Sequence, residues 1–249
     1  LKAKKHLGQN FLENKETLYK ILESANITKN DHVIEIGPGH GVLTRELLQR
    51  AKKVTAIELD GDLIPTLKKK FPNLELLHQD ALTVTPPSTP YKLVANIPYY
   101  ITSPIINHFL RHQKQNHRPT QMTLLVQHEV AQKIYAKSGD LNVLAIDVQV
   151  FGKPKLVAKI PPSHFNPPPK VDSAIINIEV TAPLVEDAAI DKFFALIHKG
   201  FAHKRKKLSS NLGIREDVLK ALGLSPNIRA QELSIGDWTH LYAVVYNTT

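Results

Sequence analysis

A chain of 249 residues that is 42% hydrophobic can bury one substantial core, with room for a small appendage beside it. The absence of cysteine excludes disulfides and thiolate metal sites, no metal is expected, and a formal charge of +9 favours an anionic partner. No uninterrupted apolar run approaches the roughly 20 residues of a membrane-spanning helix, and residues 1–10 are basic and polar, so neither an anchor nor a secretory signal is expected and the expected location is cytoplasmic.

Leu18, Ile21, Leu22 and Ala25 follow the i, i+3, i+4, i+7 spacing of a helix with one buried face. His32 to Ile36 then reads as a strand running into Gly37, and Leu43, Leu47 and Ala51 return to helical spacing. The alternation continues with a strand 54–58, a helix 62–70, strands 74–78 and 93–96, a helix 104–111, a strand 123–127 and a helix 128–137. Strands near 143–151 and 171–180 complete it. Such alternation predicts an α/β fold with a mainly parallel sheet, because parallel strands need long crossovers that helices supply. Ligands bind such sheets beyond their strand C-termini. The proline-rich stretches 86–90 and 161–169 are expected to be loops, since proline lacks the amide donor.

Beyond Val180 the pattern changes to several short helices. Phe193, Phe194, Ile197, Phe201, Leu208, Leu212, Leu219, Leu222, Trp238 and Leu241 are expected to be buried there. The positive charge concentrates in the same region. No acidic residue lies between Asp191 and Glu216, whereas Lys192, Lys199, Lys204, Arg205, Lys206, Lys207 and Arg215 do, and Lys2, Lys4 and Lys5 add charge near residue 1. A run of this kind is either a solvated face or a grip on phosphates.

The chemistry is carried by turns that follow strands. Gly37, Gly39 and Gly41 let backbone approach a ligand closely. A dinucleotide fingerprint would need glycine at 42, where Val42 stands, so a pyrophosphate-bearing NAD site is disfavoured. Glu58, 21 residues beyond Gly37, ends the next strand, where a carboxylate accepts both hydroxyls of a ribose. Together they point to a nucleoside ligand without pyrophosphate, S-adenosylmethionine being the candidate. Asp80, in Gln79-Asp80-Ala81, is either an acceptor for the cofactor's adenine or a cap on the following segment. Asn96-Ile97-Pro98-Tyr99 offers a carboxamide acceptor on a proline-stiffened loop beside an aromatic face, which suits methylation of an exocyclic amine on a flipped base; it also reads as an ordinary turn with a packed tyrosine.

In this order, these segments resemble the ribosomal RNA adenine N6,N6-dimethyltransferase family, most closely its bacterial KsgA branch. The matching pieces are Gly8 to Leu12, Glu35 to Gly41, Glu58-Leu59-Asp60, Gln79-Asp80-Ala81, Asn96 to Tyr99, Val126 to Ala131, Phe165 to Ser173 and Phe201 to Leu208. The resemblance implies a Rossmann-like class I methyltransferase domain over 1–182, with a mainly parallel seven-stranded sheet, and a small all-helical RNA-binding domain over 183–249. It implies S-adenosylmethionine held by Gln9, Asn10, Leu12, Gly37, Gly39, Glu58, Leu59, Asp80, Ala81 and Asn96. Asn96 and Tyr99 would clamp the target adenine, Phe165 would be a second stacking face, and Lys204, Arg205, Lys206 and Lys207 would hold RNA. The implied reaction is dimethylation of N6 of two adjacent adenosines in the 3'-terminal hairpin loop of 16S ribosomal RNA, by a monomer acting on the immature small subunit. His128 and the run Ser138 to Asn142 depart from the family's commonest residues, which touches only RNA contacts. Two other functions fit parts of the pattern: the family's antibiotic-resistance branch, which modifies large-subunit RNA, and a noncatalytic nucleic-acid-binding factor on the same scaffold.

Overall fold

The computed structural model describes residues 3–4 and 7–246, so Lys2 and Lys5 lie outside the described residues. The chain divides into two compact units, one of Leu1–Gln132 with Lys153–Thr181 and the other of Lys133–Gly152 with Ala182–Thr249.

In the first unit a two-residue strand, β1 (Phe11–Leu12), leads into α1 (Lys15–Ala25). Asn14 caps that helix by accepting the Thr17 amide at 2.8 Å, and Asn26 ends it in the left-handed region at φ 45°. The stripe Leu18, Ile21, Leu22 and Ala25 is buried against the sheet, each larger side chain contributing about 1.5–3 kcal/mol of burial. There follow β2 (His32–Ile36), α2 (Val42–Arg50), β3 (Lys53–Glu58), α3 (Ile64–Lys70), β4 (Glu75–His78), β5 (Lys92–Asn96), α4 (Thr102–Phe109), β6 (Gln121–Gln127) and α5 (His128–Ile134). Their bounds differ by only a few residues from those expected.

The next expectation fails. Residues Val143–Gln149 form a helix, α6, rather than a strand, with Asn142 accepting the Ala145 amide at 3.0 Å as its cap. A short apolar run carries no period that separates a buried strand from a buried helix, so the asparagine decides. The strand is instead β7 (Gly152–Ile160), hidden in the sequence by Lys153-Pro154-Lys155. It lies at the sheet's end, where proline and lysine are tolerated because one side needs no partner. The stretch 161–169 is not all loop either: β8 (Phe165–Asn166) pairs antiparallel with β1, Leu12 opposite Phe165. Last comes β9 (Ser173–Val180).

The seven-stranded sheet runs β4-β3-β2-β5-β6-β9-β7. From β4 to β6 neighbouring strands are parallel, and β9 is antiparallel to β6, from Gln121 opposite Glu179 to Gln127 opposite Ser173. From β2 the chain builds outward through β3 and β4, then returns to β5 on the other side. That reversal opens a crevice beyond the C-terminal ends of β2 and β5.

The second unit holds α6, α7 (Ile190–Gly200), α8 (Leu208–Leu212), α9 (Glu216–Ala221) and α10 (Ile235–Tyr246), and residues 188–246 contain no strand. Phe193, Phe194, Ile197, Leu208, Leu212, Leu219, Trp238 and Leu241 are buried, while Phe201 and Leu222 are half-buried. Phe201 stacks on Trp238 at 5.8 Å between ring centroids, and a Cβ on Gly200 would come within 2.4 Å of the indole, so glycine sets how close the chain passes. Residues 202–207 are exposed.

Candidate active site

The crevice at the reversal is a cleft of about 790 Å³ counted out to its open mouth. Its floor is the glycine turn after β2, where Gly37, Gly39 and Gly41 all have positive φ. A Cβ on Gly39 would lie 3.0 Å from the Phe11 ring, so the turn and β1 fit together only with glycine there. On one flank stand Glu58 and Leu59, on the next Asp80 and Ala81, and opposite them Asn96 and Tyr99.

Glu58 is buried, and both its oxygens are oriented by backbone. Oε2 accepts the Gly39 amide at 3.3 Å and Oε1 the Asp60 amide at 2.8 Å. Burial pushes its pKa up while those amides hold it down, with a net rise. A carboxylate has about four acceptor positions, so two remain for ligand hydroxyls. Asp80 caps the turn after β4 by accepting the Leu82 amide at 2.9 Å and lines the cleft as well, so the two readings of it coexist. Leu59 is exposed at 51% and supplies an apolar wall at the mouth.

Asn96 closes β5, and its Nδ2 donates to the Asn10 carbonyl at 3.0 Å. A carbonyl accepts only from the amine end, so the carboxamide oxygen is left as an acceptor. Pro98 fixes the next turn, and the Tyr99 hydroxyl meets Ser173 Oγ at 2.6 Å. Ser173 is fully buried at the start of β9, which makes it an anchor for the tyrosine ring. Burial pushes the Tyr99 hydroxyl pKa up, against the opposing effect of Ser173.

Of the residues expected at the site, Gln9, Asn10, Gly37, Gly39, Glu58, Leu59, Asp80, Ala81, Asn96 and Tyr99 line this one cleft. Leu12 lines a smaller cavity behind the glycine turn. Phe165 lines neither; it is 4% exposed and packs in the core with Leu12, opposite it on β1. The Gln9 side chain is taken up by Asp60 and the Lys4 amide, at 2.8 and 2.7 Å. Lys204, Arg205, Lys206 and Lys207 form an exposed turn between α7 and α8, with Lys207 paired to Glu216 at 3.3 Å.

Sequence reasoning passed over Glu35, which lines the smaller cavity, is fully buried, and has no hydrogen-bond partner at Oε2. Burial pushes its pKa up to about 8, the nearby Glu58 charge adding to the effect and Thr44 opposing it. A carboxylate inside an apolar strand was the available signal. Phe11 and His40, stacked at 4.0 Å, close that cavity, and Tyr100, 60% exposed, flanks the cleft mouth. Among the described residues no cluster of histidine and carboxylate groups is arranged to hold a metal, and no helix is long and apolar enough to cross a membrane.

The ribosomal RNA adenine dimethylase family matches residues 1–246 of the chain. The ribosomal RNA small subunit methyltransferase A of Dehalococcoides mccartyi is 43% identical, over 97% of this chain and 88% of its own length. Its namesake from Clostridium botulinum is 39% identical over 99% and 95%. Among solved structures, a dimethyladenosine transferase from Plasmodium falciparum superposes with a TM-score of 0.83 at 29% identity, covering 96% of this chain and 98% of that one. The 23S rRNA methyltransferase ErmE does so at 0.77 and 31% identity, covering 94% and 99%. With its glycine turn, its strand-end carboxylate and its Asn96 to Tyr99 loop gathered at one cleft, the chain belongs to the ribosomal RNA adenine dimethylase family.

Proposed function

We infer that the protein is an S-adenosylmethionine-dependent dimethyltransferase acting on N6 of adenosines in small-subunit ribosomal RNA. The single observation that carries this is the Asn96 carboxamide, fixed through Asn10 at the rim of a nucleoside-sized cleft. The residues fit the cofactor. Glu58 offers spare acceptors for ribose hydroxyls, Asp80 an acceptor for an adenine amine, Leu59 an apolar wall, and Gly37 and Gly39 room for close approach. Once bound, S-adenosylmethionine supplies an electrophilic methyl on a sulfonium.

The chain's own part is positioning. The Asn96 oxygen accepts an N–H of the target amine, which turns the nitrogen lone pair toward the methyl. The Tyr99 ring stacks on the flipped base and favours the positive charge that develops on N6, by about 1 kcal/mol. The methylated nitrogen then loses a proton to water, so no dedicated base is required. Phe165, opposite Leu12 in the β1–β8 pair and buried with it in the core, supports this part of the site from behind. Lys204 to Lys206 grip RNA phosphates, and the substrate is the 3'-terminal hairpin loop, with its two adjacent adenosines, on an immature small subunit. The protein acts in the cytoplasm as a monomer.

Supplying labelled cofactor to immature small subunits and to naked large-subunit RNA tests the reading. Label in N6,N6-dimethyladenosine of the small-subunit RNA is expected, and labelling of the large-subunit RNA alone contradicts it. Conversion of a nicotinamide cofactor would contradict it as well.

A further inference from the structure

Asp60 takes no part in the chemistry above, yet it is only 5% exposed and holds two parts of the site together. Its Oδ1 lies 2.6 Å from the Lys4 ammonium, and its Oδ2 accepts Gln9 Nε2 at 2.8 Å. The same ammonium lies 2.6 Å from Asp62, and Gln9 Oε1 accepts the Lys4 amide at 2.7 Å. On the other side, the Asp60 amide donates to Glu58 Oε1. Burial pushes the Asp60 pKa up, but the Lys4 and Gln9 hydrogen bonds outweigh it and keep the carboxyl ionised below its ordinary range.

The segment pinned in this way is one wall of the cleft. Residues 7–11 line it, Gly8 at φ +61° packs against Pro98 and Tyr100, and the Asn10 carbonyl holds Asn96. We propose that Asp60 is a positioning residue that seats residues 7–11 over the cofactor cleft through Lys4 and Gln9 while fixing Glu58 through its own amide. Cofactor retention and seating of this wall are therefore one coupled event, held in part by an ion pair. The inference rests on the cofactor reading and assigns how that site is kept closed. Asp60→Asn removes the charge but keeps the shape, and Lys4→Gln acts from the rim, where the ammonium side chain is 32% exposed and no core is disturbed.

Binding of S-adenosylhomocysteine, which cannot react, is measured on the full chain by calorimetry, and its dissociation by stopped flow. Lys4→Gln and Asp60→Asn are each expected to raise Kd about three- to tenfold through faster dissociation, the double variant being no worse than the weaker single one. Lys4→Arg is expected to restore affinity. Between about 0.05 and 0.5 M salt, wild-type affinity falls and Lys4→Gln affinity changes less. Methylation is expected to show a raised KM for the cofactor with a smaller change in kcat. If Asp60→Asn fails to fold, Lys4→Gln and Gln9→Ala carry the same test. Wild-type affinity and dissociation rate in the variants overturn the coupling, as do strictly additive losses. A wild-type protein that binds no S-adenosylhomocysteine overturns the cofactor reading itself, and this inference with it.

Discussion

The Asn96 carboxamide donates through its nitrogen to the Asn10 carbonyl, which leaves its oxygen as an acceptor, and the proposed function assigns that acceptor to a substrate amine. On the proposed function, Asn96→Ala removes the acceptor that orients the target amine. It is expected to lower kcat by about 100-fold or more while RNA binding persists, as measured by single-turnover methylation beside a filter-binding titration. Equal loss of both would contradict the role. Glu35 gives a second prediction, concerned with stability. Its folded-state pKa of about 8 lies above the ordinary carboxylate value, so between pH ~4.5 and 8 the folded protein holds a proton that the unfolded chain has lost. Stability associated with this group is therefore greatest below that window and falls as pH rises through it, by at most about 1.4 kcal/mol per pH unit. Glu35→Gln mimics the protonated form, so its Tm advantage over wild type is expected to grow from pH 5 to 8; a constant difference would contradict the shift. The strand-end positions of Glu58 and Asn96 could be read from the sequence, and both residues line the cleft, but position alone left Asn96 open to an ordinary turn until the family resemblance was added. The tasks of Gln9, Asp60 and Ser173 were not legible, because each depends on a partner 51 to 74 residues away, which no local spacing encodes.

At the scale of elements, periodicity found α1 because four apolar residues at helical spacing are buried while Lys15, Glu16, Tyr19 and Glu23 on the other face are exposed. It also found the parallel strands β2, β3, β5 and β6, whose apolar runs end at glycine or polar turns. It failed where burial leaves no period. α6 is buried through Ala145, Ile146, Asp147 and Val148 in succession, and β7 mixes lysine and proline on an edge. The pairing of β8 with β1 was hidden for another reason, since two-residue strands have no pattern and need only a partner. In the helical unit, α7 ends at Gly200 against Trp238, and a methyl there would intrude to 2.4 Å. Gly200→Ala is expected to destabilise by about 1–3 kcal/mol through overpacking, read from urea unfolding monitored by tryptophan fluorescence. An unchanged midpoint would show that the indole moves aside at no cost.

For the whole molecule, the +9 charge becomes informative only because part of it sits on an exposed turn with few acidic partners. Lys207 is paired with Glu216, whereas no partner accompanies the other three in the described structure. Neutralising Lys204 or Lys206 is expected to weaken RNA binding and to reduce the log–log salt slope by about 0.7–0.9 for each phosphate no longer neutralised, while Lys207→Ala changes it less. Identical slopes for all variants would mean that the turn faces only solvent. The mainly parallel sheet and a ligand site beyond its strand C-termini were legible because helix–strand alternation limits the sheet to few topologies, while the seven-stranded class came with the family resemblance. The grouping of 133–152 with the C-terminal helices was not legible, since chain order says nothing of which side a segment joins.

The most direct measurement is mass analysis of nucleosides from the small-subunit RNA of cells that lack this protein and then regain it, either as wild type or as Asn96→Ala. The account predicts that N6,N6-dimethyladenosine is absent without the protein, returns with wild type and does not return with the variant. Full dimethylation in cells lacking the protein, or full restoration by Asn96→Ala, would contradict it.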